Sequence, residues 1–142
     1  MTTVQEVFDI AIHLMDEQDE GTGATLTEDT QEYRLRTISI LNALVPSLFP
    51  FSDTSPTGVS GRPAVPVLAN LNGIDPDFTQ VVPLDDTLSR AVLPYGLAGH
   101  LTATENEELS AWLLNRYVSA CADLRSRIPG TFQPIHAPYG FF

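Results

Sequence analysis

The chain has 142 residues, 43% hydrophobic and 18% charged, with 18 acids against 7 bases for a net charge of −11, and every base is an arginine. One domain of this length buries roughly two-thirds of the surface that its unfolded chain exposes, enough for a core without disulfide or metal staples. A lysine-free acidic chain is not a general nucleic-acid binder, because phosphate affinity comes from Lys and Arg. No apolar run approaches the roughly 18 residues of a membrane span, and the lone Cys121 makes no internal disulfide.

Met1–Ile10 carries Glu6 and Asp9 and no positive side chain, which reads against a secretory signal. The expectation is a soluble, acidic, single-domain protein. A first helix is predicted from about Thr3 to Gln18. Thr3 followed by Glu6 fits a capping box, Val4, Val7, Phe8, Ala11 and Met15 recur at helical spacing, and Gly21-Thr22-Gly23 marks the turn beyond. A second helix starts near Thr27, with Glu28 and Asp29 in its first turn against the helix dipole. Tyr33, Thr37, Ile40, Leu41, Leu44 and Leu48 form one face, and Glu32 and Arg36 are placed for an i,i+4 pair. Pro46 is expected to kink or end this helix at Val45, which would leave Leu48 outside it.

From Pro46 to Pro83 the chain holds seven of its eleven prolines. Val65, Val67, Leu68, Leu71, Ile74, Phe78, Val81 and Val82 are interspersed, so the stretch is too apolar for a free linker. It reads as an ordered loop wrapped over the helices, with short strands allowed at 64–68 and 78–82, and ordered loops of this length usually serve binding. A third helix begins after Asp85-Asp86, either of which can cap it, and runs through Thr102 with a kink at Pro94. Its small residues Gly96, Ala98 and Gly99 let another backbone come close. A fourth helix opens at Glu105 to Glu108 and carries Leu109, Trp112, Leu113, Arg116, Tyr117, Ala120, Cys121 and Leu124 at helical spacing until Pro129-Gly130.

The charge is unevenly distributed. Residues 1 to 32 hold nine acids and no base, whereas Arg125 to Phe142 holds two arginines and no acid. That block reads first as solvated helix faces, and the sharper alternative is an acidic surface that repels polyanions or steers a basic partner.

No constellation for catalysis or for a cofactor emerges. His13, His100 and His136 are far apart in sequence, and none has a second His or Cys at ligand spacing. His13 and Glu17, i,i+4 on the first helix, are the best metal pair available and read more simply as an exposed charge pair. Gly58-Val59-Ser60-Gly61 has the wrong spacing for a nucleophile elbow, and Cys121 lies on an inferred core stripe. Two features point to interaction instead, namely the Pro-rich loop and the aromatic tail with Phe132, Tyr139, Phe141 and Phe142. Leaving such side chains in water costs about 1.5–3 kcal/mol each, so the tail either folds back or docks on a partner. His100 and Tyr95 are further interface candidates.

The text Leu88-Ser89-Arg90-Ala91-Val92-Leu93-Pro94-Tyr95-Gly96-Leu97-Ala98-Gly99-His100-Leu101, then Glu105-Asn106 and Arg116-Tyr117, resembles head-to-tail connector (adaptor, or head-completion) proteins of tailed bacteriophages and prophages. The resemblance implies a non-enzymatic subunit of a homo-oligomeric ring, dodecameric in that case, in the neck of a virion assembled in the bacterial cytoplasm. Its partners would be the portal protein and tail or stopper proteins, with passive contact to DNA passing through a channel and none to a membrane. Arg90, Arg116, Arg125 and Arg127 would then be candidates for salt bridges between protomers. The alternative function is a small acidic binding or regulatory domain engaging a basic protein. The expected architecture is mainly α, a four-helix bundle at 1–128 that includes an irregular loop at 46–84, followed by an extended C-terminal arm at 129–142.

Overall fold

The computed structural model describes residues 1–53, 64–70 and 76–127, with the side chains of Arg125 and Arg127 excepted. These residues form a mainly helical domain of four helices, the third of them bent. The helices are α1 (Val4–Met15), α2 (Gln31–Leu48), the bent pair α3 (Asp86–Ala91) and α4 (Leu93–Thr102), and α5 (Glu107–Arg127). No helix among the described residues is long and apolar enough to cross a membrane.

Their directions follow from a few side-chain contacts. The start of α1 meets α3, where Arg90 Nη2 reaches Glu6 Oε2 at 3.1 Å. At the opposite end the Tyr33 hydroxyl, at the start of α2, donates to Glu105 just beyond α4. The end of α2 returns to α5, where the Ser47 and Tyr117 hydroxyls lie 3.3 Å apart. Hence α1 and α4 run one way, and α2 and α5 the other.

The first helix starts as its sequence dictates, because Thr3 Oγ1 accepts the Glu6 N–H at 3.3 Å. It ends three residues earlier than expected. Asp16 adopts the left-handed conformation at φ 58° and ψ 39°, and its N–H caps carbonyls of the last turn. The turn beyond it is organised by Asp19, whose Oδ2 accepts from Gly21 N, Thr22 N and Thr22 Oγ1. Residues 27–30 are likewise not helical. Thr30 Oγ1 accepts the Thr27 N–H at 2.9 Å and donates to the Thr25 carbonyl at 2.7 Å, an alternative to helical bonding that threonine hydroxyls offer near helix starts.

Pro46 does not stop α2. It lies in the last turn, where its missing N–H forfeits one helical hydrogen bond, and burial of Leu48 and Phe49 holds that turn in place. The inner face uses Ile38, fully buried, while Ile40 is only partly covered. The expected Glu32–Arg36 pair forms, at 3.7 Å.

In the third helix Asp85 is the cap, its Oδ1 accepting the Leu88 N–H at 2.9 Å. The expected kink is a full break at Val92, with φ −113° and ψ −52°. Pro94 has no N–H to donate back, and its ring crowds the carbonyl of Arg90.

The segment between α2 and α3 contains no strand among its described residues. Residues 64–70 have no regular structure, and Val81 makes only an isolated antiparallel bridge to Thr3. Side-chain amides take the place of a ladder. Asn42 donates to the Leu68 carbonyl at 3.0 Å and accepts the Leu68 N–H at 2.9 Å, while Gln80 does the same for Ala69 at 2.8 and 2.7 Å. Leu68, Phe78, Val82 and Leu84 are thereby buried in the core.

The core is centred on α4, which packs against α1, α2, α3 and α5 and buries eight of its ten residues. Its approach to α5 is close. A Cβ built on Gly99 would lie 2.7 Å from Leu114 Cγ and Cδ2, and one on Gly96 would lie 2.9 Å from Tyr117 Cδ2 and 3.0 Å from Leu44 Cδ1. Ser110 Oγ seals the contact by donating to the Gly99 carbonyl at 2.7 Å.

A substitution at Gly99 tests this packing. In an isolated helix Gly→Ala stabilises by about 1 kcal/mol, whereas overpacking costs about 1–3 kcal/mol. Gly99→Ala is therefore expected to lower the unfolding free energy measured in urea, and a gain in stability would show that α4 and α5 do not touch here.

Candidate functional site

Two surfaces carry chemistry that the core does not absorb. The first lies where α5 crosses the bent helix. Arg116 is exposed, and its guanidinium carbon sits 5.6 Å from the Tyr95 ring centroid and 5.5 Å from that of Trp112. Trp112 and Arg116 are i,i+4 on α5, and Tyr95 reaches them from the first turn of α4, so three side chains from two helices form one stack. Beside it is a groove of about 380 Å³ lined by Ala91, Tyr95, Arg116, Ser119, Ala120 and Asp123. Trp112 is 52% exposed, and Arg116 makes no ion pair with any described residue. Tryptophan, tyrosine and arginine are the side chains that most often anchor protein interfaces, because each offers large apolar or planar area together with a polar handle.

The second surface is the acidic end formed by the close of α1 and the approach to α2. Asp16, Glu17, Gln18, Asp19, Glu20 and Asp29 surround a depression of about 410 Å³. None of the five carboxylates is ion-paired with a described residue. Burial first, and then the charges of Glu105, Asp16 and Asp29, hold the Glu17 carboxyl above its usual range. Asp19 goes the other way, lowered chiefly by the hydrogen bonds from Thr22. Glu17 stands near Tyr33, whose hydroxyl is pushed well above its ordinary value by burial, by the bond to Glu105 and by the surrounding carboxylates.

Several sequence expectations change on this geometry. His13 and Glu17 are not neighbours on one helix, because the left-handed Asp16 ends α1 between them and turns Glu17 toward Glu105. Trp112 leaves the core stripe: Leu113 and Tyr117 face inward, and Trp112 lies on the flank shared with Arg116. Its i,i+4 spacing to Arg116 was the signal available in the sequence.

Of the interface candidates, Tyr95 and Arg116 are brought together. Arg90 lies on α3 and is already engaged, with Nε 3.1 Å from Thr2 Oγ1 and Nη2 on Glu6. His100 is exposed near the end of α4. Arg125 and Arg127 belong to the last turns of α5, and their side chains lie outside the described residues, as do Phe132, Tyr139, Phe141 and Phe142. Cys121 is half-buried and faces a smaller apolar groove of about 220 Å³ with Phe51, Tyr117 and Val118. Among the described residues no group of three His, Cys, Asp or Glu side chains is arranged to hold a metal ion.

The tyrosines give the acidic end a pH signature. A raised Tyr33 value in the fold means that the folded chain keeps a proton the unfolded chain loses above about pH 10. The Tyr33 contribution is thus complete below that pH and declines as pH rises further. With no lysine in the chain, this range belongs largely to tyrosine, and buried Tyr117 adds to the slope in the same sense. Tyr33→Phe is expected to flatten the fall of unfolding free energy between about pH 10 and 12, read by urea denaturation; an unchanged slope would mean that the hydroxyl is not shielded.

Compared with protein-family models, curated proteins and solved structures, the chain matches none.

Proposed function

We propose that the protein is a structural virion-assembly subunit, part of an oligomeric ring that joins the portal and capsid of a tailed phage to its tail, and that it acts by binding proteins and not by catalysis. The observation that carries this reading is the segment 88–117. Its resemblance to connector proteins spans the stretch from α3 into α5 that contains both the glycine contact and the Tyr95–Arg116–Trp112 stack. A segment that forms one closely packed unit and presents an aromatic–arginine surface suits a part made to be gripped by neighbours. The acidic end fits the same role, since carboxylates repel phosphate and let DNA slide past without capture. The C-terminal arm with Phe132, Tyr139, Phe141 and Phe142 would extend the contact to portal, tail or stopper proteins.

A second reading has its own support. Glu17 and the four carboxylates around it have no ion-pair partner among the described residues, which suits a small regulatory domain that engages a basic protein through this end.

Native mass spectrometry of the purified chain, alone and with the portal protein, separates the two. A ring that forms alone or on portal addition supports the connector. A chain that stays monomeric and never joins a portal overturns it, and tight 1:1 binding of a basic protein at the acidic end would support the regulatory reading.

A further inference from the structure

The two surfaces are complementary in charge and belong to different parts of one chain. On one, an exposed guanidinium lies within 5.6 Å of the Tyr95 ring centroid and 5.5 Å of that of Trp112, with no carboxylate partner among the described residues. On the other, five carboxylates rim a depression of about 410 Å³ without an ion-pair partner among the described residues, with Glu17 disfavoured as an anion. Both also present apolar area next to the charge: Trp112 is 52% exposed on the first, and Leu26 is 53% exposed near the second, beside Glu28 and Arg34.

From this we infer that the Tyr95–Arg116–Trp112 face of one copy docks on the acidic end of a second copy, with Arg116 entering the depression between Glu17, Glu20 and Asp29. The inference rests on the self-association in the ring-subunit reading and assigns the surfaces that carry it. It does not depend on a phage partner.

The physical case is local. The attraction of the two rings favours a guanidinium beside them, which reduces the side-chain freedom lost when a carboxylate binds it, and a planar fork can meet two carboxylate oxygens at once. Two copies at −11 each repel one another. At about 0.15 M salt the screening length is only about 8 Å, so repulsion across the molecule is damped while contacting pairs keep their attraction. The contact joins unlike surfaces. The pair therefore retains one free face of each kind, one on either copy, and the arrangement repeats, closing into a ring where the rotation allows and otherwise extending.

That repeat supplies the test. Sedimentation velocity of the full chain at about 0.15 M salt is expected to show concentration-dependent species larger than a dimer. Arg116→Glu is expected to weaken association at least about tenfold, as is the pair Glu17→Arg with Glu20→Arg. Circular dichroism checks that each variant is folded, and Arg116→Gln serves if the glutamate variant is not. An equimolar mixture of Arg116→Gln with the pair Glu17→Gln and Glu20→Gln, whose altered faces carry no new charge, contains one competent face of each kind, so it should form a 1:1 heterodimer and nothing larger. Wild-type chain that remains monomeric at all concentrations overturns the inference, and portal addition still decides the connector reading. Association that survives Arg116→Glu and Arg116→Gln also overturns it, since the face would then be left to residues 128–142 or to a foreign protein.

Discussion

Everything in this fold depends on how closely α5 can approach α4. The α4 helix is covered by α1, α2, α3 and α5, so it has no polar face to spare, and its surface is built from small or apolar residues. Gly96 and Gly99 lie one turn apart and remove the two side chains that would hold α5 away. The consequence reaches beyond packing density. Leu114 and Tyr117 fill the space that the glycines leave, and this fixes the rotation of α5 about its axis. Trp112 and Arg116 are then carried onto the flank beside Tyr95. A larger residue at either glycine would shift the helix that carries the interaction surface, so the core and the surface are set by one contact.

The helices were legible because their signals are local. Thr3, Asp85 and the apolar spacing of α1 and α5 can be read without knowing what they pack against, and the small residues of α4 announced a close neighbour. What was not legible depended on partners distant in sequence. Nothing near Asp16 announces that it ends α1 in the left-handed conformation. Pro46 is tolerated because burial of Leu48 and Phe49 outweighs one lost hydrogen bond, and that burial comes from the rest of the molecule. The stretch at 64–70 reads as apolar and β-prone, yet it is pinned by Asn42 and Gln80, which no periodicity reveals. Trp112 was misplaced for a related reason. Periodicity defines a stripe wide enough to include residues 109, 112, 113, 116 and 117, and only the position of α4 decides which edge of that stripe faces solvent.

The distribution of charge sharpens along the same lines. In sequence the acids form a block at the N-terminal side; in the structure the five around Glu17 come from two segments that α1 and α2 bring together. Their mutual repulsion is offset in part by hydrogen bonds, chiefly around Asp19, while Glu17 has only burial and like charges around it. Burial and the neighbouring charges therefore tell on Glu17, whereas the Thr22 hydrogen bonds favour Asp19 as an anion.

The absence of lysine fits this division. Lysine offers a flexible point charge, whereas arginine is a planar fork that stacks and binds several acceptors at fixed angles. Arg90 uses the fork to tie Thr2 and Glu6 to α3. Arg36 reaches the Leu101 carbonyl at 3.2 Å near the end of α4 and lies over Tyr33, and Arg34 lies over Phe78. In each of these the guanidinium joins elements within the domain. Arg116 differs in that it lies beside Tyr95 and Trp112 at the surface and makes no ion pair with a described residue, so its planar fork joins no second element of the described fold through such a pair.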